Sequence, residues 1–183
     1  MLKTAFTYGS ISGILIICVI TLGLVLKGGA HGSGEGGGFF ASEWFGYLVM
    51  IVALSTIFLA VRDYRNKELG GVIKFLPALG LGLLIALIAG VAYVIAWEIY
   101  LAATNYAFMD NYIAHLIEAK RAAGVSGTEL EAQIAQLNAM KESYANPLFR
   151  VPMTFLEIFP VGLLIALISA AVLCNPQVLP ARG

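Results

Sequence analysis

The chain has 183 residues, of which 60% are hydrophobic and 12% charged, with 11 basic and 11 acidic residues and two cysteines. A soluble domain carries about 25% charged residues, and a chain this short has too much surface to hide such an apolar excess from water, so part of its solvent is lipid. Zero net charge without a basic run excludes nucleic acid as a partner, and the composition likewise excludes a disordered tail or a disulfide-stapled secreted domain.

A helix crosses the hydrocarbon with about 20 mainly apolar residues at a rise of about 1.5 Å each. Four windows meet that requirement. The first, residues 11–26, follows Lys3 and Tyr8 and is closed by Lys27 and a glycine run, giving a span of about residues 6–27. Its rival reading is a signal peptide cleaved near Gly28-Gly29-Ala30. The apolar stretch is long for a signal core, however, and Lys27 lies between it and that site. Residues 28–38 hold seven glycines. They lack the Lys-Ser/Thr ending and strand-to-helix setting of a phosphate loop, so a flexible tether is expected.

The second window lies between Glu43 and Arg62, and Arg62-Asp63 is expected to end a span of about residues 44–62. The third begins at Phe75, with Pro77 in its first turn where proline is tolerated, and is expected to span residues 75–103. Beyond it, residues 91–123 contain neither Gly nor Pro, and Tyr106, Met109, Ile113, Leu116 and Ile117 recur at helical spacing, so the helix either runs on outward or breaks near Asn105. Gly124-Val125-Ser126-Gly127 makes a turn. Ser126 and Thr128 each precede a glutamate by three positions, the capping-box signature of a new helix, whose apolar stripe is Leu130, Ile134, Leu137 and Tyr144. Asn146-Pro147 stops it. Residues 104–147 are therefore expected to form a helical hairpin whose two stripes bury each other, the alternatives being a membrane surface or a partner. The fourth span, about residues 150–174, ends before Asn175-Pro176.

Orientation follows from lysine and arginine in the short loops. Arg62, Arg65, Lys67 and Lys74 connect the second and third spans and Lys3 precedes the first, so both termini are expected on the cytoplasmic side and the hairpin outside. Phe39, Phe40, Trp44, Tyr47, Tyr93, Trp97, Tyr100 and Tyr106 then fall at the outer interface as an aromatic belt.

Two acids interrupt apolar helices, Glu98 and Glu157. An acidic side chain at the bilayer centre costs on the order of 3 kcal/mol on insertion scales, so such residues face a protein interior or a wet cavity. The third span runs outward and the fourth inward, which places both acids in the outer half, where they can share one polar site. Close carboxylates do not both ionise cheaply unless a cation joins them. Arg150, seven positions before Glu157 and on the same helical face, is the candidate counter-ion. The bland alternative is that both acids bond to neighbouring aromatics and only fix packing. Pro160 and Pro152 lie inside the fourth span, where kinking is the default effect.

Gly82-Leu-Leu-Ile-Ala-Leu-Ile-Ala-Gly90 is nearly repeated as Gly162-Leu-Leu-Ile-Ala-Leu-Ile-Ser-Ala170. Gly82, Ala86 and Gly90, and Gly162, Ala166 and Ala170, are small residues four apart, which let helix backbones approach closely in lipid. The third and fourth spans should touch along them. His115, three before Glu118, and His31 lack the partners of a metal site. Cys18 and Cys174 differ in depth and have no redox spacing. No Ser-His-Asp or Cys-His set can be assembled, so no catalytic residue, cofactor or metal is assigned.

Five stretches carry a resemblance. Tyr8-Gly9-Ser10-Ile11-Ser12-Gly13, Phe58-Leu-Ala-Val-Arg62-Asp63-Tyr64-Arg65-Asn-Lys-Glu-Leu69-Gly70-Gly71, Ala96-Trp97-Glu98-Ile99-Tyr100, Asn146-Pro147-Leu148-Phe149 and Glu157-Ile158-Phe159-Pro160-Val161-Gly162 resemble a bacterial four-helix integral membrane family catalogued only as a domain of unknown function, four-one-nine-nine in that series. The resemblance covers nearly the whole chain. It implies four spans and a large outer loop, and brings no activity, cofactor or catalytic residue.

The expectation is thus an all-α, multi-pass protein of the bacterial inner membrane, with four transmembrane helices and an extracytoplasmic hairpin between the third and fourth. Its partners would be the lipid bilayer and either further copies of itself or another membrane protein. Its expected function is that of a non-enzymatic accessory or scaffold subunit; the alternative is a small proton- or cation-binding or transport protein using Glu98 and Glu157.

Overall fold

The computed structural model describes residues 1–26 and 43–180, with side chains for 1–18 and 47–180. The glycine tether, Lys27, His31, Phe39 and Phe40 lie outside the described residues, as does the side chain of Trp44. Helices α1 (Leu2–Leu26), α2 (Glu43–Leu54), α3 (Thr56–Glu68), α4 (Phe75–Ala103), α5 (Ala107–Ala122), α6 (Gly127–Ala145) and α7 (Pro147–Leu173) follow in order, with no strand among the described residues. Three helical stretches are long and apolar enough to cross a membrane: Tyr47–Glu68, Phe75–Ala103 and Pro147–Leu173. The described side chains of α1 make a shorter apolar helix, Leu2–Cys18.

The second stretch departs from expectation at both its middle and its end. At Ser55 a single turn residue separates α2 from α3. The Ser55 hydroxyl donates to the carbonyl of Ile51 at 2.7 Å and that of Thr56 to Ala53 at 2.8 Å, the back-bonding by which Ser and Thr bend apolar helices. Arg62-Asp63 does not end the helix, which runs on to Glu68. Asp63 accepts from Tyr8 Oη of α1 at 2.8 Å and from Lys67 Nζ at 2.6 Å, whereas the Nε of Arg62 is buried without a hydrogen-bond partner among the described residues. Arg65, expected as a loop charge, is fully buried. It donates to the carbonyls of Leu173, Val178 and Leu179 and to Asn66 Oδ1, thereby capping the carbonyl end of α7, which has no donors of its own.

Helix α4 breaks at Asn105, one of the two expected outcomes. Asn105 and Tyr106 have φ of 51° and 57°, and their amides bond to the carbonyls of Ala102 and Leu101 at 3.2 and 2.8 Å. This is the left-handed helix stop, with asparagine in place of glycine. Tyr106 consequently stands at the N-cap of α5, 51% exposed, instead of on the apolar stripe. Met109 and Ile113 are buried, and Leu116 and Ile117 are half-buried. Gly124, with φ of 85°, ends α5 by the same device. Ser126 is the N-cap of α6 but makes no side-chain capping bond, so the expected capping box is not formed. Leu130, Ile134, Leu137 and Tyr144 are half-buried against the rest of the molecule, and Lys141 of α6 pairs with Asp110 of α5.

Asn146-Pro147 both ends α6 and begins α7, three residues earlier than expected. The Asn146 side chain accepts from the amide of Leu148 at 2.9 Å and Pro147 occupies the first turn, where its missing N–H is not needed. Helix α7 then runs through Pro152 and Pro160 without interruption.

Helices α4 and α7 pack along their small residues. A Cβ placed on Gly82 would lie 2.8 Å from Cβ of Ala166, and one on Gly162 would lie 2.7 Å from Cβ of Ala86. Ala166 and Ala170 are fully buried. Gly90 instead receives the ring of Phe155, 2.7 Å from the same hypothetical Cβ. Helix α1 reaches α4 in a similar way, Gly9 against Ile88 and Gly13 against Ala92. In lipid such contacts gain dispersion energy that bulkier residues would forfeit by holding the backbones apart. Leu54, Ile57, Leu81, Ile85, Ile158 and Leu173 close the interior between these helices, each fully buried.

Candidate functional site

One face of α4 carries the site. Gly82, Ala86 and Gly90 are continued by Tyr93, Trp97 and Leu101 at spacings of three and four, and the last three are buried. The face that packs on α7 low in the helix therefore becomes aromatic and polar higher up. Tyr93 and Trp97 are 5% and 7% exposed, so they are not lipid-facing members of an aromatic belt. Their position on the small-residue face was the available signal.

Arg150 sits in the first turn of α7 with its side chain 3% exposed. Its Nε donates to Oε1 of Glu98 at 2.7 Å and its Nη2 to Oε2 at 2.6 Å. This two-pronged geometry is the strong form of an arginine–carboxylate pair. Nη1 turns away to the carbonyls of Tyr144 and Ala145, at 3.1 and 3.4 Å, which lie at the end of α6 and lack helical donors. The guanidinium lies 5.3 Å from the ring centre of Tyr106 and 5.8 Å from that of Tyr144. One side chain thus ties together the tops of α4 and α7, the end of α6 and the start of α5.

Tyr144 completes the cluster, its hydroxyl accepting from Trp97 Nε1 at 2.7 Å. Burial pushes the Tyr144 phenol above its ordinary range, opposed by the indole hydrogen bond and by Arg150. Trp97 also meets Phe108 edge-on with ring centres 4.9 Å apart, so α5 is held against the same column.

Glu157 lies two turns further along α7 than Arg150 and is bonded separately. Tyr93 Oη donates to its Oε2 at 3.2 Å. The structure therefore brings Arg150 and Glu98 together, whereas Glu157 has Tyr93 for its partner and no cation within ion-pair distance among the described residues. His115 and Glu118 lie 4.0 Å apart on an exposed surface, and the described residues contain no group of three or more metal-ligating side chains. Cys18 and Cys174 are both free thiols.

Comparison with known proteins returns one family. Residues 7–175 match the family model described as "Protein of unknown function (DUF4199)". No curated protein and no solved structure matches.

Proposed function

Taking as premise that the chain belongs to the DUF4199 family, we propose that it is a non-enzymatic accessory or scaffold subunit of the bacterial inner membrane. In this reading the chain crosses four times, α1 being the first span, with both termini cytoplasmic and residues 104–147 forming an outer hairpin. The basic residues Arg62, Arg65, Lys67 and Lys74 between the second and third spans support that orientation.

The observation that carries the reading is the disposition of Arg150. Its donors go to Glu98 and to the last carbonyls of α6, so it fastens the hairpin to the membrane helices. A charge consumed in such a clamp gives shape to a surface rather than taking up a transported ion. The test is purification of the tagged full chain in mild detergent with identification of co-purifying proteins. A membrane protein retained by wild type and lost on Arg150→Gln supports the scaffold role. Recovery of the chain with lipid alone overturns it.

A further inference from the structure

The outward side of α7 carries one acid. Met153, Glu157, Pro160, Leu164 and Ile168 succeed one another at spacings of four, three, four and four, and all five are exposed. That spacing puts them on a single helical stripe. All but Glu157 are apolar, as befits a surface in hydrocarbon. The carboxylate has the Tyr93 hydroxyl and no other hydrogen-bond partner among the described residues.

A second acceptor lies next to it. Pro160 has no N–H to give to the carbonyl one turn back, that of Leu156. A carbonyl relieved of its helical donor thus stands next in the chain to the acid, and lipid tails offer no donor in its place.

We propose that this stripe docks a transmembrane helix of another protein that carries a lysine or arginine at the depth of Glu157. The proposal rests on the accessory-subunit reading and names the chemistry of its partner. A basic side chain supplies a counter-charge to the carboxylate and has further N–H groups for the Leu156 carbonyl. A second copy of this chain is a poor occupant, because it repeats the same two acceptors. The one cation of α7, Arg150, already donates through Nε, Nη1 and Nη2. A hydrated ion needs a wet, protein-lined cavity, whereas Met153, Leu164 and Ile168 flank the acid with exposed hydrocarbon.

The experiment uses the full chain, donor-labelled and reconstituted in phosphatidylcholine vesicles. It is titrated with an acceptor-labelled leucine–alanine transmembrane peptide bearing one lysine at the depth of Glu157, or leucine at the same position. Energy transfer is expected at about tenfold lower peptide density for the lysine peptide, a difference of about 1.4 kcal/mol. Glu157→Gln removes that preference, while Asp110→Asn, outside the apolar helices, keeps it. Leu164→Trp leaves the acid in place but fills the stripe, and weakens association of the lysine peptide. Equal binding of both peptides overturns the proposal, as does a lysine preference that survives Glu157→Gln. Transfer between copies of the chain that Glu157→Gln abolishes overturns it in favour of self-association, and sodium-dependent loss of lysine-peptide binding overturns it in favour of an ion site. A lysine preference with no co-purifying membrane protein leaves the stripe chemistry standing and removes the scaffold reading.

Discussion

Arg150 and Glu98, fifty-two positions apart, face each other through two nearly parallel hydrogen bonds of 2.7 and 2.6 Å. The arginine is almost wholly buried and the carboxylate is 29% exposed. Removing one partner of a buried pair leaves a charge in a poor solvent and costs about 3–5 kcal/mol. Arg150→Met should therefore lower stability by about 3 kcal/mol, read as the unfolding midpoint in a detergent titration. Arg150→Lys should recover little, because an ammonium cannot span both carboxylate oxygens and the α6 carbonyls together. A lysine variant as stable as wild type would show that the fork geometry is immaterial.

The small-residue seam predicts an order among glycine variants. Gly82→Ala and Gly162→Ala drive a new methyl against Ala166 and Ala86, with backbone close behind at 3.1 and 3.6 Å. Overpacking of this kind costs about 1–3 kcal/mol. Gly90→Ala meets the ring of Phe155, a side chain that can swing aside, so it should be the mildest of the three. Thermal melts of the three proteins decide the order.

Arg65 is expected to hold the chain beyond α7. Its bonds to Leu173, Val178 and Leu179 are lost in Arg65→Ala, and the segment after Leu173 should then be cut by protease several-fold faster in the detergent-solubilised protein. Cleavage at the wild-type rate would mean that other contacts restrain it.

Asn146 terminates one helix and caps the next, accepting from the Leu148 amide at 2.9 Å. Asn146→Ala should cost about 1 kcal/mol, and Asn146→Asp or Asn146→Ser should restore most of it. Because Arg150 lies in the turn that this cap begins, combining Asn146→Ala with Glu98→Gln should give less than the sum of the separate losses. Strict additivity in the melts would separate the cap from the clamp.

Where a charge or an aromatic was misread, the reason was a long-range partner. Asp63 and Arg65 read as the end of a span because charges belong in water, but the Tyr8 hydroxyl and the Leu173 carbonyl at the end of α7 supply part of what water would have supplied. Tyr93 and Trp97 read as interfacial anchors because aromatics favour that depth. Their register with Gly82, Ala86 and Gly90 turns them inward instead. Glu98, Glu157 and Arg150 could each be picked out, since a charge within an apolar helix is conspicuous. They read as one shared polar site with the arginine as counter-ion, but Arg150 bonds to Glu98 and Glu157 to Tyr93.

By itself the sequence determined the solvent, the helical class and the places where small residues let α4 and α7 approach. These depend on apolar excess, period and volume, which are properties of single residues and their near neighbours. Only the tertiary structure decided that Arg150 neutralises Glu98 and leaves Glu157 to Tyr93. That choice depends on the rotation of α7 against α4, set by the Gly82–Ala166 and Gly162–Ala86 contacts far below, and a rotation between two helices is written in neither alone.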